Sequence, residues 1–293
     1  MRYTNRCGLP EEVFLALSRN RYAADEDERK TDYSITTLAS PVQQTLLKKR
    51  HSDNLEADVI DQVWSLFGNI AHSLLEEHGS DDSLTEKRFY AVLMARLVSG
   101  MVDHYKDAVI SDYKTTSVYK VRKQDYHEWE QQLNCYAYLC RLNGLVVRNL
   151  RIIVILRDWS KSLVGPNDYP KAPIVEIPLT MWATEDTEFY IESRLHALIM
   201  NEDKPDNELL ACTKEEMWER DGKWAVMKKG NKKASKLVDM KSDGDVWIAE
   251  QKKPEDYVLE ERFGERVRCE SYCVTKEFCH QYKNYKQQNG EIE

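Results

Sequence analysis

The sequence predicts an α/β protein with a central mixed β-sheet flanked by helices, followed by a C-terminal extension rich in cysteine and lysine. Three observations support this: the order helix, three strands, helix, strand over residues 55–156; an aliphatic run at 152–156 of buried-strand length; and the composition beyond residue 208. The chain has 293 residues, 42% of them hydrophobic, which suffices for a core and is long for one compact domain. We therefore predict an N-terminal arm over 1–32, a core domain over 33–200 and the extension over 201–293.

The first strong element is a helix predicted over residues 55–78. Asp53 or Asn54 is a suitable N-cap, and Gly79 ends the pattern. Apolar residues recur at helical spacing and predict the face that packs on the core: Val59, Val63, Leu66, Phe67, Ile70 and Leu74. His72 lies at the edge of this stripe, one turn after the small residue Gly68.

Three short segments rich in β-branched and aromatic residues follow, over 88–94, 97–103 and 108–115, and predict an antiparallel meander. A second helix is predicted over 124–142, and Gly144 ends it. Its apolar stripe consists of Trp129, Leu133, Tyr136, Ala137 and Cys140. A buried strand over 146–156, another strand over 174–179 and a helix over 185–200 complete the core.

The most informative stretch contains Asp103 and, nine residues later, the D-x-K of Asp112 and Lys114. Side chains two apart in a strand share a face, so Asp112 and Lys114 point the same way. A tight turn near residues 106–107 folds the strand that carries Asp103 back beside them. Two carboxylates and one ammonium then meet on a small patch, although an isolated D-x-K is also common as an ordinary exposed pair.

Such a patch suits phosphodiester hydrolysis. Carboxylate oxygens hold Mg²⁺ or Mn²⁺, and the metal polarises the phosphate and activates water. A lysine can orient that water and offset the negative charge that develops at phosphorus.

Four features follow one another in order over about residues 33–157: His72, the GxxD of Gly100–Asp103, the D-x-K of Asp112–Lys114, and the QxxxY of Gln132–Tyr136. This series resembles the motifs of the PD-(D/E)XK nuclease superfamily, on the branch of RecB-like and phage-encoded exonucleases. The resemblance implies a restriction-endonuclease-like core over 33–200 and a metal-dependent deoxyribonuclease that degrades DNA from its ends in phage recombination, repair or genome processing. The alternatives are a structure-directed endonuclease on the same core and a non-catalytic module that binds DNA ends.

The resemblance also implies a role for each matching residue. The metal ligands would be His72, Asp103, Asp112 and the carbonyl of Tyr113, with Mg²⁺ or Mn²⁺ as cofactor. Lys114 would be the catalytic lysine, and Gln132 and Tyr136 would position Lys114 and the DNA strand. DNA is the implied partner. Two further partners are left as open alternatives: a single-strand annealing or other recombination protein, and further copies of the chain in a homo-oligomer.

The extension places Cys269, Cys273 and Cys279 within eleven residues, with Cys212 at its start. Four thiolates suit tetrahedral zinc or a [4Fe–4S] cluster, and free thiols are the alternative. Some RecB-like relatives carry an iron–sulfur cluster with a late cysteine triplet, but their early cysteine is missing here, where residues 38–41 read LASP. Cys212 is therefore the preferred fourth ligand, with Cys7 as the fallback.

The formal charge of −8 argues mildly against a nucleic-acid ligand unless basic residues are clustered. A cluster predicted to bind DNA lies in the extension and comprises Lys228, Lys229, Lys232, Lys233 and Lys236. The opening residues lack an apolar stretch of signal-peptide length, and no run approaches a membrane span. We therefore expect no membrane association and a cytoplasmic location, in a bacterial host if the protein is phage-encoded.

Overall fold

A computed structural model describes residues 1–18, 31–77, 82–165 and 167–288, with the backbone alone at 72, 74–77 and 288. The chain divides into two compact units, Met1–Lys204 and Pro205–Glu293. The strands of the first unit are β1 (Arg2–Thr4), β2 (Tyr33–Ser34), β3 (Glu56–Asp58), β4 (Leu84–Leu93), β5 (Arg96–Lys106), β6 (Val109–Thr116), β7 (Asn149–Leu156) and β8 (Ile174–Leu179). Its helices are α1 (Glu11–Ser18), α2 (Ile35–Leu38), α3 (Val42–Arg50), α4 (Val63–Glu77), α5 (Val118–Lys123), α6 (His127–Leu142) and α7 (Thr184–Ile199).

A six-stranded mixed sheet forms the centre of the first unit. Its order is β2-β5-β6-β7-β8, with β4 paired to β5. The pairs β4–β5 and β5–β6 are antiparallel, which confirms the predicted meander, whereas β6–β7 is parallel. The alternating side chains of β7 on one face, including Ile152 and Val154, are fully buried. The α/β class with a central mixed sheet and flanking helices is therefore confirmed.

Strand β5 pairs with β4 along one edge. Two different strands, β2 and β6, pair with separate parts of its other edge. At residues 98–99 that edge pairs with β2, and at residues 104–106 it pairs with β6. Among the described strands, none pairs with residues 100–103 on this edge. The sheet thus has a local gap beside Asp103, where β6 diverges from β5.

Helix α6 packs closely on the sheet at Gly100. A Cβ atom at Gly100 would lie 2.8 Å from Tyr136 Cδ1 and 3.0 Å from Leu139 Cδ1. The predicted stripe on this helix is largely correct, since Leu133, Tyr136, Ala137 and Cys140 are all buried. The predicted start at residue 124 is wrong, because Gln124 adopts a left-handed conformation (φ 55°) that ends the separate helix α5.

Helix α4 begins at Val63, not at residue 55 as predicted. The preceding residues pair with the N-terminal strand instead, because β3 lies parallel to β1. Asp58 accepts hydrogen bonds from Thr4 Oγ1 (2.6 Å), the Arg6 N–H (2.9 Å) and the Ile60 N–H (3.2 Å). These donors, Thr4 foremost, lower the pKa of Asp58 to about 2. The carboxylate therefore fixes the N-terminal segment and caps the 3₁₀ turn of Val59–Gln62 that leads into α4.

The predicted core face of α4 is also partly wrong. Phe67 and Ile70 are exposed, as is the neighbouring Trp64. The helix meets β6 through Gly68, whose Cβ position lies 3.9 Å from Thr115 Oγ1. Apolar residues occupy more than one face of this helix, so spacing alone did not identify the buried one. The side chain of Leu74 and the predicted stop at Gly79 lie outside the described residues.

The second unit has a three-stranded sheet of its own, which the sequence analysis did not predict. The order is β11-β10-β12, and both pairs are antiparallel. The elements are β9 (Glu219–Arg220), β10 (Lys223–Lys228), β11 (Ala234–Val238), α8 (Lys241–Ala249), β12 (Tyr257–Arg262), β13 (Glu265–Arg266), α9 (Val267–Ser271) and α10 (His280–Gln288). Ala225 and Val226 are fully buried, so this unit has a small core. Across the helices that the structure describes, none is long and apolar enough to cross a membrane.

Candidate active site

Asp103 lies where strand pairing on both sides of β5 is interrupted. The β4–β5 ladder pairs Thr85 with His104 and Lys87 with Val102 but omits Glu86 opposite Asp103. Glu86 has a φ of 45°, a conformation that non-glycine residues rarely adopt. On the other edge, the Asp103 carboxylate accepts a hydrogen bond from the Tyr113 N–H at 2.8 Å. The carboxylate therefore replaces a backbone partner and holds the diverging strand β6 beside β5.

Asp112 and Lys114 lie on β6 on either side of Tyr113. Asp112 is 2% exposed, and its Oδ2 lies 2.6 Å from Lys114 Nζ in an ion pair. Burial alone would lower the pKa of Lys114, but the carboxylates of Asp112 and Asp103 outweigh it and hold this pKa above its ordinary value of 10.5. Asp103, Asp112 and Lys114 are therefore electrostatically coupled, and the ammonium stays charged at neutral pH.

Tyr136 of α6 closes the patch from the helix side. Gln132 Nε2 donates a hydrogen bond to the Tyr136 hydroxyl at 2.8 Å, and the Thr36 hydroxyl also bonds to it. Burial and the Asp112 carboxylate raise the pKa of Tyr136 to about 12, so the phenol stays neutral. Gln132 and Tyr136 were predicted to lie beside Lys114 from the sequence motif. Thr36 was not predicted, because nothing in the local sequence distinguishes it from other helical threonines.

His72 belongs to α4, which packs on β6 through Gly68. Its side chain lies outside the described residues, so the structure gives no position for the imidazole. Tyr113 lies between Asp112 and Lys114, with its N–H bonded to Asp103.

The buried carboxylate of Asp112 has an oxygen with unused acceptor capacity. Asp112 Oδ2 is buried and lies 2.6 Å from the Lys114 ammonium, and apart from this ion pair no donor in the described part of the chain forms a hydrogen bond to it. A buried carboxylate oxygen of this kind next to a second carboxylate matches the hard oxygen ligands that Mg²⁺ prefers. Among the side chains that the structure describes, however, no group of three or more His, Cys, Asp and Glu residues is arranged as a metal site.

The four cysteines assigned to a structural metal all lie in the second unit, and none of the four is in a disulfide. Burial raises the pKa of Cys212 to about 12, and Glu216 and the thiols of Cys279, Cys269 and Cys273 add to the increase. Burial likewise raises the pKa of Cys269 to about 11. The Tyr282 N–H lies 3.4 Å from Cys279 Sγ. The thiols thus interact with one another, but they do not form a preassembled metal site. The fallback ligand, Cys7, belongs to the first unit and is exposed.

The five predicted DNA-binding lysines lie on one hairpin of the second unit. Lys228 ends β10, Lys236 belongs to β11, and the others occupy the turn around Gly230, which has a φ of 85°. All five are exposed. Lys236 Nζ lies 6.0 Å from the centroid of the Trp247 ring. The hairpin therefore presents a compact positive surface.

Comparison with known proteins gives little further information. No family model matches the sequence, and no curated protein matches it. One similar solved structure is the crystal structure of SSO0001, with a TM-score of 0.44 and 17% sequence identity over 61% of this chain and 81% of that chain. Similarity at this level carries no argument about function.

Proposed function

We propose that the protein is a metal-dependent deoxyribonuclease with a PD-(D/E)XK core that degrades DNA from its ends. The observation that carries the proposal is the meeting of Asp103, Asp112 and Lys114 at the gap between β5 and β6. Two carboxylates with a charged ammonium beside them suit metal-dependent phosphodiester hydrolysis. The ordered motif series and the placement of Gln132 and Tyr136 give further support.

Each residue of the patch has a distinct task in this proposal. Asp103 and Asp112 would hold a divalent cation, which supplies polarisation of the phosphodiester and activation of water. Lys114 places a positive charge where negative charge develops on the phosphate oxygens. Tyr136, held by Gln132, interacts electrostatically with Asp112 and Lys114 and would help to keep the ammonium in one position.

The direct test of the proposal uses two forms of the same DNA. We expect the protein to degrade end-labelled linear duplex or single strands with Mg²⁺ and to leave covalently closed circles intact. Chelation with EDTA should abolish the reaction. Cleavage of closed circles would instead identify a structure-directed endonuclease on the same core. DNA-end binding without cleavage would identify a non-catalytic binding module. A protein that does not bind DNA and does not cleave it would refute the proposal.

The raised pKa of Lys114 predicts how the rate depends on pH. A folded-state pKa above 10.5 means that the charged ammonium stabilises the fold below that pH, and this contribution is lost as the pH rises beyond it. From about pH 7 to about pH 10, neither Lys114 nor Tyr136 should therefore titrate. We expect no decrease in cleavage rate from these groups over that range. An alkaline decrease that disappears in Lys114→Arg, whose guanidinium stays charged, would contradict this prediction.

We further propose that the second unit binds one structural metal centre through Cys212, Cys269, Cys273 and Cys279. The four interacting thiols support the donor set, and metal binding would require side-chain rearrangement and release of thiol protons. We expect elemental analysis of purified protein to find one zinc ion or one iron–sulfur cluster per chain, distinguished by colour, and Cys273→Ser to lose it. Metal-free protein whose four thiols all react with a thiol reagent would contradict the proposal.

A further inference from the structure

Two aromatic side chains of α4 are exposed on the helix that packs on β6. Trp64 and Phe67 are 53% and 54% exposed, and their ring centroids lie 5.9 Å apart with an interplanar angle of 32°. Single exposed apolar residues are common. A neighbouring pair of large aromatic rings is less common, because it leaves a large apolar area in contact with water, which is unfavourable. The pair therefore indicates a binding surface.

A cation covers one face of the Trp64 ring. The Arg157 guanidinium carbon lies 4.3 Å from the centroid of the Trp64 ring, within cation–π distance. Arg157 is exposed, and among the described residues no carboxylate forms an ion pair with it. An apolar protein partner would have to bury this charge without a counter-ion, which is unfavourable. A phosphate-bearing ligand with flat rings, in contrast, satisfies both the cation and the aromatic faces.

The cluster of Trp64, Phe67 and Arg157 lies at the end of β6, the strand that carries Asp112 and Lys114. The backbone N–H of Arg157 donates a hydrogen bond to the carbonyl oxygen of Thr116 at 3.0 Å. Thr116 lies two residues after Lys114 on β6. Gly68, one turn after Trp64, packs on the side chain of Thr115, which alternates with Lys114, so α4 lies on the other face of β6 from the ammonium. Strand β6 ends at Thr116, two residues or roughly 7 Å beyond Lys114. A DNA strand with its phosphate at Lys114 would therefore reach the cluster by passing over this end of β6.

We propose that the Trp64 cluster is a stacking subsite for an unpaired nucleobase of the DNA strand that enters the active site. The inference rests on the proposed nuclease function and extends it to the substrate. The Trp64 and Phe67 rings would stack on bases, and Arg157 would neutralise an adjacent phosphate. Bases expose their faces only when the duplex is opened or single-stranded. The subsite thus selects a single-stranded end over a blunt duplex.

Binding without cleavage tests the subsite separately from the nuclease activity. Fluorescence anisotropy in EDTA would compare a labelled single strand with a blunt duplex of the same sequence. We expect Trp64→Ala to weaken single-strand binding by roughly 5- to 150-fold, the equivalent of one stacked base. Duplex binding should change by less than about twofold. Trp64→Phe should retain most of the affinity, and circular dichroism would confirm that the variants are folded.

The matched control is Phe189→Ala, because Phe189 is another aromatic side chain of the same unit and is 74% exposed. Unchanged single-strand binding by Trp64→Ala, or equal weakening with Phe189→Ala, would overturn the subsite. If Trp64→Ala leaves DNA binding unchanged but gives a lower molecular mass in solution than the wild type, the surface instead joins two copies of the chain, and the subsite is overturned. If the wild type cleaves DNA while the subsite fails, the proposed function stands; if the wild type neither binds nor cleaves DNA, both proposals fail.

Discussion

Lys114→Met is expected to lower the rate of DNA cleavage by on the order of 10²- to 10³-fold, the usual effect of removing one preorganised charge-stabilising group. The ammonium lies 2.6 Å from Asp112 Oδ2 and remains charged in the folded protein. Methionine preserves much of the side-chain length and removes the charge. Asp112→Asn should have an effect at least as large, because it removes a proposed metal ligand and leaves Lys114 without its ion-pair partner. Single-turnover cleavage of end-labelled DNA measures both effects.

The control for Lys114→Met is Lys106→Met, a change to another ion-paired lysine of the same sheet. Lys106 Nζ pairs with Asp82 Oδ1 at 2.8 Å, near the turn that joins β5 and β6. Exposed ion pairs contribute little to stability, so this variant should remain folded and cleave DNA at close to the wild-type rate. Equal activity of the Lys114 and Lys106 variants would show that the reaction does not use Lys114.

Gly100→Ala is expected to destabilise the first unit by about 1–3 kcal/mol, the range found for overpacked cores. The added methyl group would lie 2.8 Å from Tyr136 Cδ1 and 3.0 Å from both Ile35 Cγ1 and Leu139 Cδ1. Relief of these contacts requires the Tyr136 ring, or α6 as a whole, to shift away from β5. This movement would displace Tyr136 from Lys114, so the cleavage rate should also decrease.

Thermal unfolding of Gly100→Ala and Gly165→Ala measures the cost of this contact. Gly165 is a suitable control because a Cβ atom there would meet nothing within 4 Å. A destabilisation of 1–3 kcal/mol corresponds to a decrease in Tm of several degrees for a unit of this size. An unchanged Tm and full activity in Gly100→Ala would show that close packing at this glycine does not position the patch.

Much of the sheet could be predicted because hydrophobic alternation and turns are local signals. Strand β8 has the predicted bounds, and the meander carrying Asp103 and Asp112 differs from the prediction mainly at its strand ends. Helix α4 was harder, because its first predicted turns pair as β3 with a strand 54 residues earlier in the chain. Long-range pairing of that kind overrides local helical periodicity.

In the candidate site, too, the local features could be predicted and the long-range ones could not. The D-x-K spacing placed Asp112 and Lys114 together, since alternation in a strand is local. The gap in pairing at Asp103 could not be predicted, because it depends on the divergence of β6 and on the unusual backbone of Glu86. Thr36 was missed for a related reason: it reaches Tyr136 from 100 residues away in sequence.

Titration with Mn²⁺, followed by the electron paramagnetic resonance signal of the free ion, is the most direct measurement of the central claim. The claim is that Asp103 and Asp112 hold a divalent cation beside Lys114. Wild-type protein should bind at least one Mn²⁺ that Mg²⁺ displaces, and Asp112→Asn should lose that site while keeping the wild-type circular dichroism spectrum. Equal Mn²⁺ binding by the two folded proteins, or no binding by the wild type, would contradict the claim.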